Sequence, residues 1–141
     1  MAYVFPSEPW AAAYREAINA NTDYATTGKD WTHGAVAMVV KADESIGIAE
    51  DMAVLLDVHG GVCRDATYMT AQKARETAPF VVESNYDYWK TLIVQSRDPI
   101  MALMQGKLKL TKGSLPTIIR HLEPSKQLIA SAQAVPTEFK R

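Results

Sequence analysis

The chain has few of the features that announce a function outright. It has a single cysteine, Cys63, so no disulfide can form within it, which fits a reducing compartment such as the cytoplasm. Its longest unbroken apolar run, Ala35 to Val40, falls far short of the roughly 20 residues a bilayer helix needs. The N-terminal stretch MAYVFPSEPW lacks the basic start and long apolar core of a secretory signal. A net charge of −1 excludes the broad basic field that holds nucleic acid nonspecifically. No phosphate-cradling loop, dinucleotide fingerprint, paired-cysteine motif or G-x-S-x-G occurs. No repeat, low-complexity tract or linker divides the 141 residues, so residues 1–141 read as one domain able to bury one substantial core.

What charge there is lies unevenly. Residues 1–96 hold 7 basic and 13 acidic side chains, and residues 97–141 hold 8 basic and 3 acidic. The plain reading is a solvated surface whose halves attract each other. The sharper one is a weakly basic face, with Lys107, Lys109 and Lys112, able to make weak contact with an anionic membrane surface.

Apolar periodicity outlines the elements. Ser7 is a helix N-cap with Pro9 in the first turn, and Trp10, Ala13, Tyr14, Ala17 and Ile18 predict an amphipathic helix to about Tyr24. Trp31 to Val40 reads as a strand with Val36, Met38 and Val40 on one face. Asp43 to Asp51 is an acidic loop around Gly47. Met52–His59, Gly60-Gly61 and Val62–Met69 form a β-hairpin, because paired glycines accept the positive φ of a tight turn. A two-residue turn sets paired positions to sum to 121, which places Asp57 opposite Arg64, Val54, Leu56, Val58 and Cys63 on the apolar face, and Asp65 on that face as well. Gln72 to Thr77 is a polar crossover. Near the end, Leu115, Ile118, Ile119 and Leu122 make a helical stripe, and Pro124 separates a final helix over 125–134.

The segment from Ala78 to Ser114 is the richest. Phe80-Val81-Val82 is a short strand ending in a polar turn. Ser84 and Asp87 have capping-box spacing, and Trp89, Leu92 and Ile93 form the stripe of the helix that follows. Asp98-Pro99 starts another helix, with Ile100, Leu103 and Met104 as its stripe and Gly106 as its stop. Lys107 to Thr111 alternates as a half-buried strand does.

An A-x-F-x-V strand at 78–82, a helix carrying Tyr88-Trp89, an Asp98-Pro99 start and the run M-x-G-K-L-K-L-x-x-G at 104–113 follow one another in this order. The combination resembles the sterol carrier protein type 2 lipid-binding domain, and the tail from Leu128 to Phe139 is similar to that of bacterial members. The resemblance covers roughly the whole chain and is weakest over residues 1–50. It implies an α+β fold with a single, roughly five-stranded, antiparallel-dominated sheet and helices on one face. It further implies lipid binding or lipid transport in a hydrophobic tunnel between the two layers, without a cofactor. The C-terminal Glu-Phe-Lys-Arg departs from the peroxisomal address common in eukaryotic members.

Periodicity then proposes a lining for that tunnel: Met38, Leu56, Phe80, Val82, Trp89, Leu92, Ile93, Met101, Met104, Leu108, Ile118 and Leu122. The same residues could simply fill a core. Six methionines suit an adaptable lining, and three short consecutive helices make a thin cover. Asp57, His59 and Cys63 cluster at the hairpin, but the register turns Cys63 away from the other two, and no third ligand or orienting group is evident. His33 and His121 read as isolated structural histidines. The leading expectation is non-catalytic carriage of a fatty acyl chain, a sterol-like molecule or another lipid. Nothing in the chain itself selects a sterol. One alternative is a small enzyme using the same pocket with Asp65 as its ionisable group. Another is an accessory module that works with a separate protein or as a homodimer.

Overall fold

The computed structural model describes residues 2–140. A five-stranded sheet runs in the order β4-β3-β2-β5-β6, formed by β2 (Val36–Val40), β3 (Met52–His59), β4 (Val62–Thr70), β5 (Phe80–Ser84) and β6 (Lys109–Lys112). All its pairings are antiparallel except β2 with β5. A parallel pair needs a crossover. It is supplied by α3 (Ala71–Thr77), capped by the Thr70 hydroxyl, where a polar connection is expected.

Side chains of alternate sign face opposite layers. Even positions of the central strands (Met38, Val40, Val54, Leu56, Val58, Phe80) join the main core, while odd positions (Ala37, Val39, Ala53, Val81) meet Ala71 and Ala74 of α3 in a second, smaller core. The small odd residues let α3 lie close on that face. The main layer consists of α1 (Glu8–Ala20), α2 (Thr22–Thr27), α4 (Tyr86–Val94), α5 (Pro99–Met104), α6 (Leu115–Arg120) and α7 (Leu122–Ala134). The helix expected to reach Tyr24 is two helices, broken at Asn21, whose side chain accepts from Tyr24 N and donates to Gln127 and Ser131 on α7. The predicted Ser7 cap is present.

A second sheet pairs β1 (Tyr3–Phe5) in parallel with β7 (Thr137–Phe139). Strands of three residues carry too little periodicity to be read from sequence. Tertiary contacts hold them: Phe5 meets the Trp10 ring edge-on at 4.7 Å, and Trp10 Nε1 donates to Thr137 Oγ1 at 3.0 Å.

The hairpin forms at Gly60 and Gly61, with φ of 60° and 86°. A Cβ on Gly61 would sit 2.5 Å from Ala25 O, so both conformation and close approach require glycine there. The register departs from the sum of 121 after Val58–Cys63. A bulge at Arg64 pairs Asp57 with Asp65 instead. Asp57 still meets Arg64 at 2.9 Å, but Asp65 moves off the apolar face and is exposed, accepting from Ala66 N and from the Thr67 hydroxyl.

The capping box is also displaced by one residue. Asn85, not Ser84, caps α4, accepting from Tyr88 N at 2.7 Å. Ser84 remains in β5 and donates to Lys107 O at 2.8 Å, which fastens the start of the Lys107–Lys112 segment. The helix start at Asp98-Pro99 holds as predicted, with the Asp98 carboxylate accepting from the Ile100 and Met101 amides. Gly106, at φ 74°, follows the end of α5.

Candidate functional site

Between the sheet and the main helical layer lies a cavity of about 80 Å³. The sheet supplies Val36, Met38, Leu56, Val58 and Val82 to its floor, and Tyr14, Tyr24 and Trp31 close one side. Trp89, Pro99, Ile100, Leu103, Leu108, Ile118, Leu128 and Ile129 supply the roof. The sheet floor follows from the alternation of β2, β3 and β5, which directs bulky even-numbered side chains to one layer. Trp89 Nε1 donates to Val39 O at 2.8 Å, so its polar atom is satisfied and the indole body lines the space.

Among the positions expected to line a tunnel, the structure brings Met38, Leu56, Val82, Trp89, Leu108 and Ile118 together around the cavity. Leu92 and Ile93 are buried in the core without bordering it. Phe80 is buried against the Trp31 ring, at 5.1 Å, and Leu122 is half-buried at the start of α7. Met101 and Met104 are 52% and 66% exposed and face outward. The α5 stripe centres instead on Pro99, Ile100, Ala102 and Leu103. Six residues make fewer than two turns, and the i, i+4 partner Met104 falls past the edge of the contact face.

Sequence reasoning missed Tyr14, Tyr24, Trp31, Leu103, Leu128 and Ile129 as lining. The stripes were visible for α1 and α5, while the final helix was read by its bounds alone, and which helix spans which part of the sheet depends on tertiary packing. Tyr14 is fully buried, and its hydroxyl donates to Leu128 O at 2.8 Å; burial raises its pKa well above the ordinary phenol value. The histidines read as isolated come together. The His33 ring lies 5.2 Å from the His121 ring and 5.0 Å from the Trp31 ring, and His121 borders the cavity.

The hairpin triad does not assemble as a reactive site. Cys63 is buried, His59 is exposed and Asp57 is engaged by Arg64. Burial in an apolar setting pushes the Cys63 thiol up to about 12, the opposite of what a nucleophile needs. Among the described residues no group of three His, Cys, Asp or Glu side chains could hold a metal ion, and no helix is long and apolar enough to cross a membrane.

On the opposite face of the sheet is a charged cluster that sequence reasoning did not identify. Arg75 of α3 donates to both oxygens of Glu83, at 3.1 and 2.6 Å, and to Asp51 at 3.0 Å. Lys41 joins Asp51 and Glu83 at 3.2 and 3.6 Å, and the Thr111 hydroxyl donates to Glu83. Arg75 and the hydroxyl hold the Glu83 carboxyl below its ordinary value, against the burial that opposes this. Asp51 is lowered too: burial raises it, but the Ala42 amide, Arg75 and Lys41 outweigh that. The signal was a lone acidic residue closing an apolar strand, read as part of a polar turn.

No protein-family model matches the chain, and no curated protein matches it. Solved structures do. The crystal structure of a sterol carrier protein 2 superposes with a TM-score of 0.84 at 29% identity, covering 92% of this chain and 97% of that one. The solution structure of a conserved hypothetical protein from Thermus thermophilus, described as possibly a sterol carrier protein, gives 0.83 at 29% identity, covering 94% and 90%. The apo form of sterol carrier protein 2 from Yarrowia lipolytica gives 0.53 at 17% identity over 86% and 88%, a likeness of fold alone. The motif run of 78–113 falls where the resemblance requires it, on β5, α4, the start of α5 and β6. The mixed sheet, its helical cover and these superpositions together show that the chain has the sterol carrier protein 2 fold.

Proposed function

We propose that the protein is a non-catalytic carrier that shelters an extended apolar molecule, a fatty acyl chain or another lipid, between its sheet and its helices. The carrying observation is a cavity between the layers whose lining is overwhelmingly aliphatic and aromatic. Transfer of apolar surface from water is worth roughly 25 cal/mol per Å², so such a site retains a chain with few polar contacts. The structures of similar fold bear the sterol carrier name, which agrees with this reading.

A space of about 80 Å³ is smaller than a long acyl chain, so uptake requires the cover to part. The cover suits this: α5 and α6 are six residues each. Each presents exposed apolar side chains, Met101 and Met104 on α5 and Leu115 and Ile119 on α6. Lys107 and Arg120 are exposed and adjoin α5 and α6 along the chain, so this side of the molecule fits transient contact with an anionic membrane from which the ligand is taken. Lys109 and Lys112 lie instead on the α3 face of the sheet, Lys109 in register with Glu83 and Lys112 donating to Arg75 O. The carrier works as a monomer or a homodimer in the cytoplasm in this reading. The enzyme alternative loses its one candidate, because Asp65 lies exposed on the far side of the bulge.

Native mass spectrometry of the purified protein, followed by solvent extraction, tests the proposal. A bound molecule with a long apolar portion is the expected result. Protein that neither retains such a molecule nor takes one up from vesicles contradicts it.

A further inference from the structure

His121 is the histidine of the cavity lining, and the fold fixes its chemistry. It sits at the break between α6 and α7, with φ −114° and ψ 45°. Its side chain turns back over the last turn of α6 rather than capping α7. Nδ1 lies 2.8 Å from Thr117 O. A carbonyl oxygen only accepts, so Nδ1 carries the proton of the neutral ring and Nε2 is left as a bare acceptor. Trp31 meets the imidazole edge-on at 4.9 Å. His33, which is exposed, meets it at 5.2 Å. These two rings pack against the imidazole, and His121 itself is half-buried.

Two hydroxyls of the lining spend their protons within the protein. The Tyr14 hydroxyl donates to Leu128 O and the Ser125 hydroxyl to His121 O, each at 2.8 Å. Tyr24 carries its hydroxyl end beside Gly28, where a Cβ would meet its Cζ at 3.1 Å. Among the described residues none donates to Nε2 of His121. A half-buried imidazole acceptor on a lining that is otherwise largely apolar favours a ligand that is apolar apart from one donor at its end.

We infer that His121 is the polar anchor of the cavity and that it selects an extended apolar molecule ending in a hydroxyl over an ester, an ether or a hydrocarbon of the same length. The ligand hydroxyl donates to Nε2 and the chain runs over Met38, Leu56 and Val82. The inference rests on the carrier reading above and deepens it. His121 is here a specificity-determining residue, and no proton need leave the ligand.

The test is a paired titration of hexadecanol and its isomer pentadecyl methyl ether, which has the same number of heavy atoms and lacks the donor, into wild type and His121→Phe. In wild type the ether should bind roughly five- to tenfold more weakly, the size expected from one hydrogen bond between neutral groups. In His121→Phe the two should bind alike. Imidazole ¹⁵N spectra of the wild type supply a check that needs no variant: hexadecanol should shift Nε2 of His121 while Nδ1 stays on Thr117. Equal wild-type affinities with an unmoved Nε2 resonance overturn the inference and leave the carrier reading standing, as does a preference that persists in a folded His121→Phe. Uptake of neither molecule overturns the carrier reading itself.

Discussion

Trp89 of α4 donates its indole N–H to the Val39 carbonyl of β2 at 2.8 Å, in a fully buried contact. This bond crosses from the helical layer to the central strand and fixes the indole whose flank borders the cavity. Trp89→Phe removes the donor and part of the ring, and should destabilise the fold by about 2–4 kcal/mol from lost packing plus the lost bond. Denaturant unfolding monitored by circular dichroism checks this.

Of the three tryptophans, Trp31 and Trp89 border the cavity, whereas Trp10 lies by Phe5 and Thr137. Ligand uptake should therefore quench or shift the emission of wild type. A variant retaining Trp10 alone (Trp31→Phe with Trp89→Phe) should show no response to the same ligand. The comparison is made by fluorescence titration with binding confirmed by a separation assay.

Much of this site could be read from the chain, and the failures share a cause. Strand alternation located Met38, Leu56 and Val82, and the Asp98-Pro99 start and the glycine hairpin followed from local backbone chemistry. Long-range geometry was hidden. His33 and His121 are 88 positions apart, and only the packing of α6 against the Trp31 loop joins them. The bulge at Arg64 reversed the side of Asp65, because a single inserted residue flips every later side chain. The displaced cap at Asn85 is a one-residue error of the same kind, since both Ser84 and Asn85 are good capping residues.

The α3 cluster makes stability depend on acid. Glu83 and Asp51 have folded pKa values below their unfolded ones, so their contribution is present above the ordinary carboxylate pKa and is lost as pH falls through the folded values. Stability should fall below about pH 4. Glu83→Gln, which leaves Arg75 with a neutral partner, should cost about 1–3 kcal/mol at pH 7 and flatten this acid dependence. Urea unfolding from pH 7 down to 3 on both proteins is the measurement; an unchanged pH slope in Glu83→Gln would remove the cluster as its source.

Cys63 should resist alkylation. Its thiol is buried and pushed up to about 12, so iodoacetamide at pH 8 should modify native protein far more slowly than protein in denaturant. Mass spectrometry of timed samples reports the difference.

The exposed methionines of α5 should matter for contact with membranes and not for holding the ligand. Met101→Glu with Met104→Glu should lower cosedimentation with vesicles containing phosphatidylserine, and added salt should do the same to wild type. Equilibrium affinity for a soluble acyl ligand should stay unchanged, because neither side chain borders the cavity.

Affinity as a function of chain length tests the carrier account most directly. Saturated acyl chains of increasing length are titrated into wild type and into Val82→Phe, which adds volume to the cavity floor. Affinity for wild type should rise with each methylene, by at most roughly 0.8 kcal/mol, and then level off where the space ends. Val82→Phe should level off at a shorter chain while remaining folded. Binding that is absent, or that is indifferent to chain length, would contradict the account and leave the cavity as a packing defect of an ordinary core.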